Sequence, residues 1–258
     1  MKEKIRDEIL NHKRIARIIF PIYVFLSYPI KLVIYGAGDP PAYFIFKKSK
    51  LIYLVNSKVA QTAITNTCGN KNKTEYSGIE EKNLGENKDK LSKNEEDYYS
   101  FTFVRNPFER LYSCYKSKYI ADKERYKKPF LDFDFYLLGY LKKDTGFENF
   151  VKRAMRVPHF LADRHFKSQY TLIKEESRLK IDYIGRYESI SDDFKKIQDR
   201  FNLETLPLLN KSGSNTWRDF YTKDLVSIVS EFYKEDLKEW YPSAESELIE
   251  YISKKKPS

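Results

Sequence analysis

Residues 99–119 read YSFTFVRNPFERLYSCYKSKY and join a strand-like stretch directly to a helix-like one. The first part, YSFTFV over 99–104, has the aromatic and β-branched composition typical of a strand. Asn106 is a preferred N-cap, Pro107 fits the first helical position, and Glu109 completes a capping-box pattern. The stretch therefore predicts a strand followed at once by a helix.

This predicted helix has an apolar face and a polar face. The apolar face consists of large side chains at helical spacing, namely Phe108, Leu111, Tyr112, Tyr115 and Tyr119. Arg110, Ser113 and Ser117 share the polar face. Arg105, at the predicted strand end, carries a planar fork of donors that suits a phosphate group. The same arginine could instead pair with Glu109.

A second strand end carries a lysine. Residues 51–55, LIYLV, form a short apolar run that suits a buried parallel strand, and SKVAQT at 57–62 reads as a turn into a helix. Anions are favoured at such helix starts, where Lys58 adds charge and Thr62 a hydroxyl. The segment resembles a phosphate loop without the G-x-x-x-x-G-K-[ST] pattern, which disfavours a nucleotide triphosphatase.

The rest of the chain continues the alternation of strands and helices. Residues 181–184 predict a third strand, and helices are predicted at 192–201, 218–234 and 243–253. The alternation predicts an α/β fold with a central parallel sheet. One domain over residues 43–258 accounts for it, with 69–97 as a polar surface loop or frayed helix.

Composition limits the classes of partner. The net charge of +10, from 47 Lys and Arg against 37 Asp and Glu, attracts anionic lipids, nucleotides or acidic glycans. Acidic residues are interspersed with the basic ones, which argues against a dedicated nucleic-acid arm. Hydrophobic residues make up 41% of the 258 residues, enough for a sizeable core.

Cysteines and histidines are few and scattered. Cys68 and Cys114 make no disulfide framework, and a reducing compartment is the simpler assumption. His12, His159 and His165 do not form a cluster with metal-ligand spacing. We therefore expect no metal site.

The amino-terminal segment, residues 1–42, is basic and then apolar. After the basic residues 1–17, the run IIFPIYVFLSYPI at 18–30 is interrupted by Lys31 and followed by LVIYG at 32–36. A spanning helix needs about 20 apolar residues, and no cleavage site for a signal peptide is evident. We favour an interfacial anchor or a re-entrant hairpin; a spanning helix and a buried helix are the alternatives.

Taken together, the motifs resemble the sulfotransferase superfamily. FVRNPFERLYSCYKSKY at 103–119 is similar to its 3′-phosphate motif, R-[DN]-P-x-x-R-x-x-S, and 57–62 is similar to its 5′-phosphosulfate loop. Three further matches follow in the family's order: DRHFKSQ at 163–169, DYIGRYESISDDF at 182–194 and LNKSGS at 209–214. The resemblance spans roughly residues 50–242 and is best to the membrane-associated carbohydrate branch, including its bacterial members.

The resemblance implies a fold and an activity. The fold is a P-loop-like three-layer α/β fold with a central parallel sheet flanked by helices. The activity is transfer of a sulfuryl group from 3′-phosphoadenosine-5′-phosphosulfate (PAPS) to a hydroxyl of a carbohydrate, with an acidic polysaccharide as one candidate acceptor. PAPS is a co-substrate, and no metal or nucleic acid is implied.

The resemblance also assigns residues. Lys58 and Thr62, with Ser57 and the backbone around Gln61, would hold the 5′-phosphosulfate. Arg105 and Ser113 would bind the 3′-phosphate of PAPS. Lys211 and Ser212 would close over the nucleotide. Two positions depart from the family pattern, since Ser57 replaces a frequent proline and Ala60 a common glycine.

Two catalytic roles follow from the chemistry. Lys58 would stabilise charge on the leaving phosphate oxygen, and a general base would take the proton of the acceptor hydroxyl. His165 is the first candidate for the base. A carboxylate, Asp163 or Glu188, is the second candidate, and a purely structural His165 is the third reading.

Two other classes of protein compete with this hypothesis. A basic, membrane-peripheral protein that binds anionic lipid or nucleic acid would explain the charge and residues 1–36, but not the paired strand ends. A nucleotide-dependent kinase would prefer ATP with magnesium. As a sulfotransferase the chain is expected at a membrane, on the cytoplasmic face in a bacterium or in the Golgi of a eukaryote.

Overall fold

A five-stranded sheet lies at the centre of the molecule. In a computed structural model its strands are β1 (Ala42–Phe46), β2 (Leu51–Leu54), β3 (Ile79–Asn83), β4 (Tyr99–Val104) and β5 (Tyr183–Arg186), in the order β3-β1-β2-β4-β5. The structure describes residues 22, 26, 29–69, 79–83, 95, 97–120, 140–141, 146–177, 179–207 and 215–255.

The sheet is mixed, which corrects the prediction of a parallel one. Strands β2, β4 and β5 are parallel to one another, whereas β1 runs antiparallel to both β2 and β3. The reason is local: residues 47–50 join β1 to β2 as a turn, and a link of this length permits only an antiparallel pair.

Seven α-helices pack against the sheet in the described part of the chain. They are α1 (Gln61–Cys68), α2 (Pro107–Tyr115), α3 (Gly146–Ala154), α4 (Ile190–Phe201), α5 (Lys223–Phe232), α6 (Lys234–Trp240) and α7 (Ala244–Lys254). Residues 29–35 are also helical. Wider π-helical turns cover Lys116–Ile120 and Thr171–Glu176, and a 3₁₀ helix covers Asn215–Phe220.

Each face of the sheet carries its own core. Tyr53, Phe101 and Phe103 point to the face covered by α1 and α4. The alternate positions Ile52 and Leu54 point to the other face, which is covered by α2, α3, α5, α6 and α7. Strand alternation thus produces three layers, and the predicted α/β class with helices around the sheet is confirmed.

Three strands differ from the predictions. Strand β1, with the sequence AYFIF, was not predicted. Strand β3 lies inside 69–97, which was predicted as a polar loop or frayed helix; its charged sequence, IEEKN, is typical of an edge strand. Strand β5 begins two residues later than predicted. Gly185 pairs with Phe103 there, and a side chain at this position would collide with the Phe103 ring.

The parallel strands bring three chain segments to one edge of the sheet. Because β2, β4 and β5 run in the same direction, their carboxyl ends lie side by side. Asn56, Arg105 and Tyr187 directly follow or closely follow these ends. Ligands of α/β proteins bind at this edge, and Lys58 and Arg105 follow the ends of β2 and β4 there.

Candidate active site

The loop between β2 and α1, residues 57–60, has a strained backbone. Lys58 and Ala60 have φ angles of 71° and 61°, in the left-handed region that favours glycine. Ala60 is the N-cap of α1 and makes no side-chain capping bond, and the first turn holds no acidic residue. No acidic side chain in the first turn therefore offsets the positive end of α1. Backbone strain such as that of Lys58 and Ala60 clusters at functional sites.

Lys58 lies in this loop among other cations. Its side chain is half-buried. Burial lowers the pKa of Lys58, and the positive charges of Lys118, Arg105 and Arg110 lower it further. The loop is therefore the centre of a positively charged site, which suits an anionic ligand.

Arg105, at the end of β4, reaches the same loop. Its Nη1 donates to the carbonyl of Lys58 at 3.0 Å, its Nη2 donates to Glu109 at 2.6 Å, and its guanidinium lies 4.1 Å from the centre of the Tyr187 ring. Its Nε is buried and has no hydrogen-bond partner. Arg105 thus forms the ion pair with Glu109 that its position allows, and its Nε is the one guanidinium nitrogen without a hydrogen-bond partner in the protein.

The predicted capping box is only half formed. Asn106 caps α2, since its side chain accepts from the backbone N–H of Phe108 at 3.0 Å. Glu109 pairs with Arg105, and the N–H of Asn106 donates instead to Glu188 at 2.7 Å. A long-range carboxylate therefore satisfies the donor that the local pattern assigned to Glu109.

His165 forms a close pair with Asp163. Its Nδ1 lies 2.6 Å from the Asp163 carboxylate, which also accepts the backbone N–H of His165 at 2.9 Å. Burial lowers the pKa of His165, and Asp163 opposes this shift. The nearby charges of Lys118 and Lys58 lower the pKa as well. The imidazole is therefore neutral at pH 7 and is close to the Lys58 loop.

Gln169, which the sequence did not single out, links the ends of β2 and β4. Its Oε1 accepts from Asn56 Nδ2 and from the backbone N–H of Arg105, both at 2.9 Å. Its Nε2 donates to the carbonyl of Arg105 at 2.9 Å and to the buried Asp236 at 3.1 Å. This fully buried amide fixes the relative position of the two strand ends.

Comparison with known proteins gives the family of this chain. A family model described as "Sulfotransferase family" matches residues 41–251. The chain belongs to this sulfotransferase family. Carbohydrate sulfotransferase 12 of Xenopus laevis is 26% identical, over 53% of this chain and 37% of that protein, so the match spans little more than a third of the relative's length. Among solved structures, none gives a significant match.

The third motif of this sulfotransferase, at 163–169, is held by buried polar contacts. Arg164 forms an ion pair with Asp39 at 2.5 Å. Lys167 is fully buried and donates to both oxygens of Glu176 at 2.8 Å and to the carbonyl of Asp39 at 2.9 Å. These contacts anchor the segment on either side of His165.

The fourth motif supplies Tyr187 and Glu188 to the site. The Tyr187 ring supports the Arg105 guanidinium. Glu188 accepts from the N–H of Asn106 and, at 2.8 Å, from the Tyr241 hydroxyl. Glu188, an alternative candidate for the base, therefore has two structural partners at the Arg105 end of the site.

The other residues predicted to bind PAPS differ in how far they are buried. Ser57 is buried, Gln61 and Ser113 are half-buried, and Thr62 is exposed. Arg110 does not share a polar face with Ser113, because its side chain is 1% exposed and turned into the core. The predictions for Lys211, Ser212 and His12 lie outside the described residues.

The remaining histidine, tryptophan and cysteine side chains of the described residues have structural surroundings. Trp217 packs in the core against Tyr221, with ring centres 6.1 Å apart. His159 packs against Phe232 with tilted rings whose centres are 4.3 Å apart, and it lines a separate cavity of about 960 Å³. Cys68 and Cys114 are free and buried. Among the described residues, no cluster is placed to hold a metal ion.

The arrangement can bind an anion and accept a proton within one site. Lys58 and the start of α1 supply positive charge, Arg105 supplies a buried donor, and the Asp163–His165 pair supplies a neutral imidazole. Stabilisation of an anionic leaving group and removal of a hydroxyl proton need these groups.

Proposed function

We propose that this sulfotransferase moves a sulfuryl group from PAPS to a hydroxyl of a carbohydrate. The observation that carries the proposal is the junction of the two strand ends, where Arg105 donates to the Lys58 carbonyl at 3.0 Å. This junction puts the lysine loop and the arginine of the 3′-phosphate motif side by side. A donor with anionic groups at both its 5′ and 3′ positions fits such a pair of cationic elements.

The donor would lie across this junction. Lys58, Thr62, Ser57 and the backbone near Gln61 would hold the 5′-phosphosulfate at the start of α1, in a P-loop-like manner. The 3′-phosphate would take Arg105 and Ser113, and the Nε of Arg105 has no hydrogen-bond partner within the protein. Lys211 and Ser212 would close over the nucleotide.

The reaction would be an in-line displacement at sulfur. The acceptor oxygen bonds to sulfur as the bond from sulfur to the 5′-phosphate oxygen breaks, and adenosine 3′,5′-bisphosphate leaves. Lys58 would stabilise the negative charge that grows on the leaving oxygen. The Nε2 of His165 would take the hydroxyl proton, while Asp163 holds Nδ1 at 2.6 Å and stabilises the imidazolium that forms.

The acceptor class rests on a relative and on the charge of the chain. The Xenopus laevis protein is named a carbohydrate sulfotransferase, and the net charge of +10 suits an acidic polysaccharide. We therefore propose a poly- or oligosaccharide acceptor.

The test is a transfer assay with a panel of acceptors. Purified protein is incubated with sulfur-labelled PAPS and with neutral and acidic glycans, and the products are analysed by mass spectrometry. The proposal predicts a glycan that gains one sulfuryl group together with release of adenosine 3′,5′-bisphosphate. Phosphoryl transfer from ATP with magnesium, and no sulfuryl transfer from PAPS, would contradict it.

A further inference from the structure

Arg110 is a buried arginine with three backbone partners. It lies on α2, five residues after Arg105, and its side chain is 1% exposed. Its Nε donates to the carbonyl of Ser57 at 3.0 Å, its Nη1 to that of Lys167 at 2.8 Å, and its Nη2 to that of Arg164 at 2.7 Å. All three guanidinium nitrogens are therefore engaged by the protein itself.

These three carbonyls belong to two segments that are far apart in sequence. Ser57 directly precedes Lys58, whereas Arg164 and Lys167 flank His165. The guanidinium is planar and rigid, so its hydrogen bonds fix the distances and angles between the groups it joins. We propose that Arg110 is a positioning residue that sets the Lys58 loop at a fixed distance from the His165 segment, an inference that rests on the function proposed above.

Arg105 also binds the Lys58 loop. Arg110 binds the carbonyl before Lys58, and Arg105 binds the carbonyl of Lys58 itself at 3.0 Å. Lys58 has a φ of 71°, which a residue with a side chain keeps only where its surroundings impose it. The two arginines provide that constraint, because they bind the carbonyls of the consecutive residues Ser57 and Lys58.

Stability alone does not account for a cation at this depth. Burial lowers the pKa of Arg110, because the charged form loses its hydration. An apolar side chain of similar volume would avoid this cost of burial, but it would leave the three carbonyls without their donor. What an apolar side chain cannot do is join Ser57 to Arg164 and Lys167.

The test compares Arg110→Lys and Arg110→Met with Tyr221→Phe. The lysine keeps the charge but cannot reach three diverging carbonyls, and the methionine keeps the bulk if the lysine variant fails to fold. Tyr221→Phe is the matched control: it removes one buried hydrogen bond to α2, from Tyr221 to the carbonyl of Phe108 at 2.8 Å, and touches neither segment.

Two readouts are measured well below the unfolding temperature: amide hydrogen exchange, and kcat against pH with saturating PAPS. In the Arg110 variants we expect at least tenfold faster exchange in 57–62 and 163–168. We also expect kcat to fall at least tenfold, with a shifted acid limb and less than a threefold change in the KM for PAPS. Tyr221→Phe should leave these quantities as in the wild type.

An Arg110 variant that unfolds at a lower temperature but keeps the wild-type kcat and acid limb would overturn the proposal. If the wild type transfers no sulfuryl group, the proposed function fails, and hydrogen exchange alone decides the role of Arg110. Faster exchange in both segments would then support the link between them, and unchanged exchange in either would refute it.

Discussion

Lys58 combines a cationic head with a constrained backbone. It follows β2, has a φ of 71°, and lies in a cluster of positive charges that, with burial, lowers its pKa. Because its proposed role is to stabilise charge that develops in the transition state, its loss should affect turnover more than binding.

We predict that Lys58→Ala lowers kcat by about 10²–10³, equivalent to about 2.7–4 kcal/mol, with a smaller change in the KM for PAPS. Lys48→Ala, at an exposed lysine in the turn between β1 and β2, is the control and should behave as the wild type. Steady-state kinetics with both substrates varied provide the measurement. A nearly unchanged kcat with a raised KM would mean that Lys58 only binds the donor.

His165 defines the second residue-scale prediction, which concerns pH. Burial lowers the pKa of His165 below its ordinary value of 6.5, so the imidazole stays neutral down to a more acidic pH than a free histidine does. We predict an acid limb of kcat below pH 6.5. His165→Ala should abolish this limb and lower kcat by about 10²–10⁴ while PAPS affinity is retained.

Asp163→Asn tests the sign of this argument. The Asp163 carboxylate opposes the lowering of the His165 pKa. Its removal should therefore move the acid limb to a lower pH, together with a loss of kcat. A limb that moves to higher pH, or a His165→Ala variant that keeps most of its kcat, would place the base elsewhere.

At the scale of the elements, the start of α1 stands out. Ala60, its N-cap, has a φ of 61° and a ψ of 26°, a conformation that costs an L-residue roughly 1–2 kcal/mol. Glycine adopts it without strain but loses about 0.5–1 kcal/mol of chain entropy on folding. The strain exceeds the entropy loss.

We predict that Ala60→Gly leaves the free energy of unfolding unchanged or raises it by up to about 1 kcal/mol. Ala63→Gly, a buried position within the same helix, is the control and should lower it by about 1 kcal/mol. Urea denaturation measures both variants. Equal destabilisation by the two substitutions would show that the left-handed conformation of Ala60 carries no strain.

Local sequence signals predicted the elements whose determinants are local. Strands β2 and β4 and the start of α2 follow from an apolar run, an aromatic run and the Asn106-Pro107 cap, and all three lie where they were predicted. The polar edge strand β3 was missed because its only pattern is a charged one. The reversed direction of β1 depends on pairing between strands, which periodicity does not encode.

The site could be predicted in part, because some of its residues directly follow strands that local sequence patterns predict. Lys58 and Arg105 stand at strand ends, so their proximity follows once the strands are parallel. Glu188 and Gln169 act across 82 and 64 residues of sequence, on Asn106 and Arg105 respectively. No local sequence spacing predicts such partners, although Gln169 is the last residue of the motif DRHFKSQ.

At the scale of the whole molecule, the amino-terminal helical residues expose an apolar face. Val33 is 87% exposed, and Ile22, Leu26, Ile30 and Ile34 are each about half exposed or more. No helix among the described residues has the length and apolarity needed to cross a membrane. The basic residues 1–17 precede this face, and a basic segment beside an apolar helix face suits an anionic membrane surface.

We predict that the chain floats with anionic vesicles and that a variant lacking residues 1–36, which keeps Asp39 and its contacts with Arg164 and Lys167, does not. Val33→Glu should weaken flotation, because it places a charge at the most exposed position of the apolar face. Phe160→Ser, which removes an exposed aromatic ring outside this face, is the control. Full-length protein that stays detergent-free, monomeric and unbound to vesicles would contradict an interfacial anchor.

The donor site itself can be tested with one set of binding measurements. The account requires a cationic contact for a 3′-phosphate at Arg105, whose buried Nε has no hydrogen-bond partner. Arg200 is a matched control, because its guanidinium also stacks on a ring, 4.3 Å from the centre of Tyr99, but at the opposite end of β4.

The deciding measurement is the affinity of the protein for adenosine 3′,5′-bisphosphate, AMP and ADP by calorimetry. We predict that the bisphosphate binds at least tenfold more tightly than either of the others, because a charge-assisted hydrogen bond contributes about 1.5–3 kcal/mol. Arg105→Ala should remove most of this preference, and Arg200→Ala should retain it. Equal affinity of the wild type for all three nucleotides would contradict the assignment of a PAPS site.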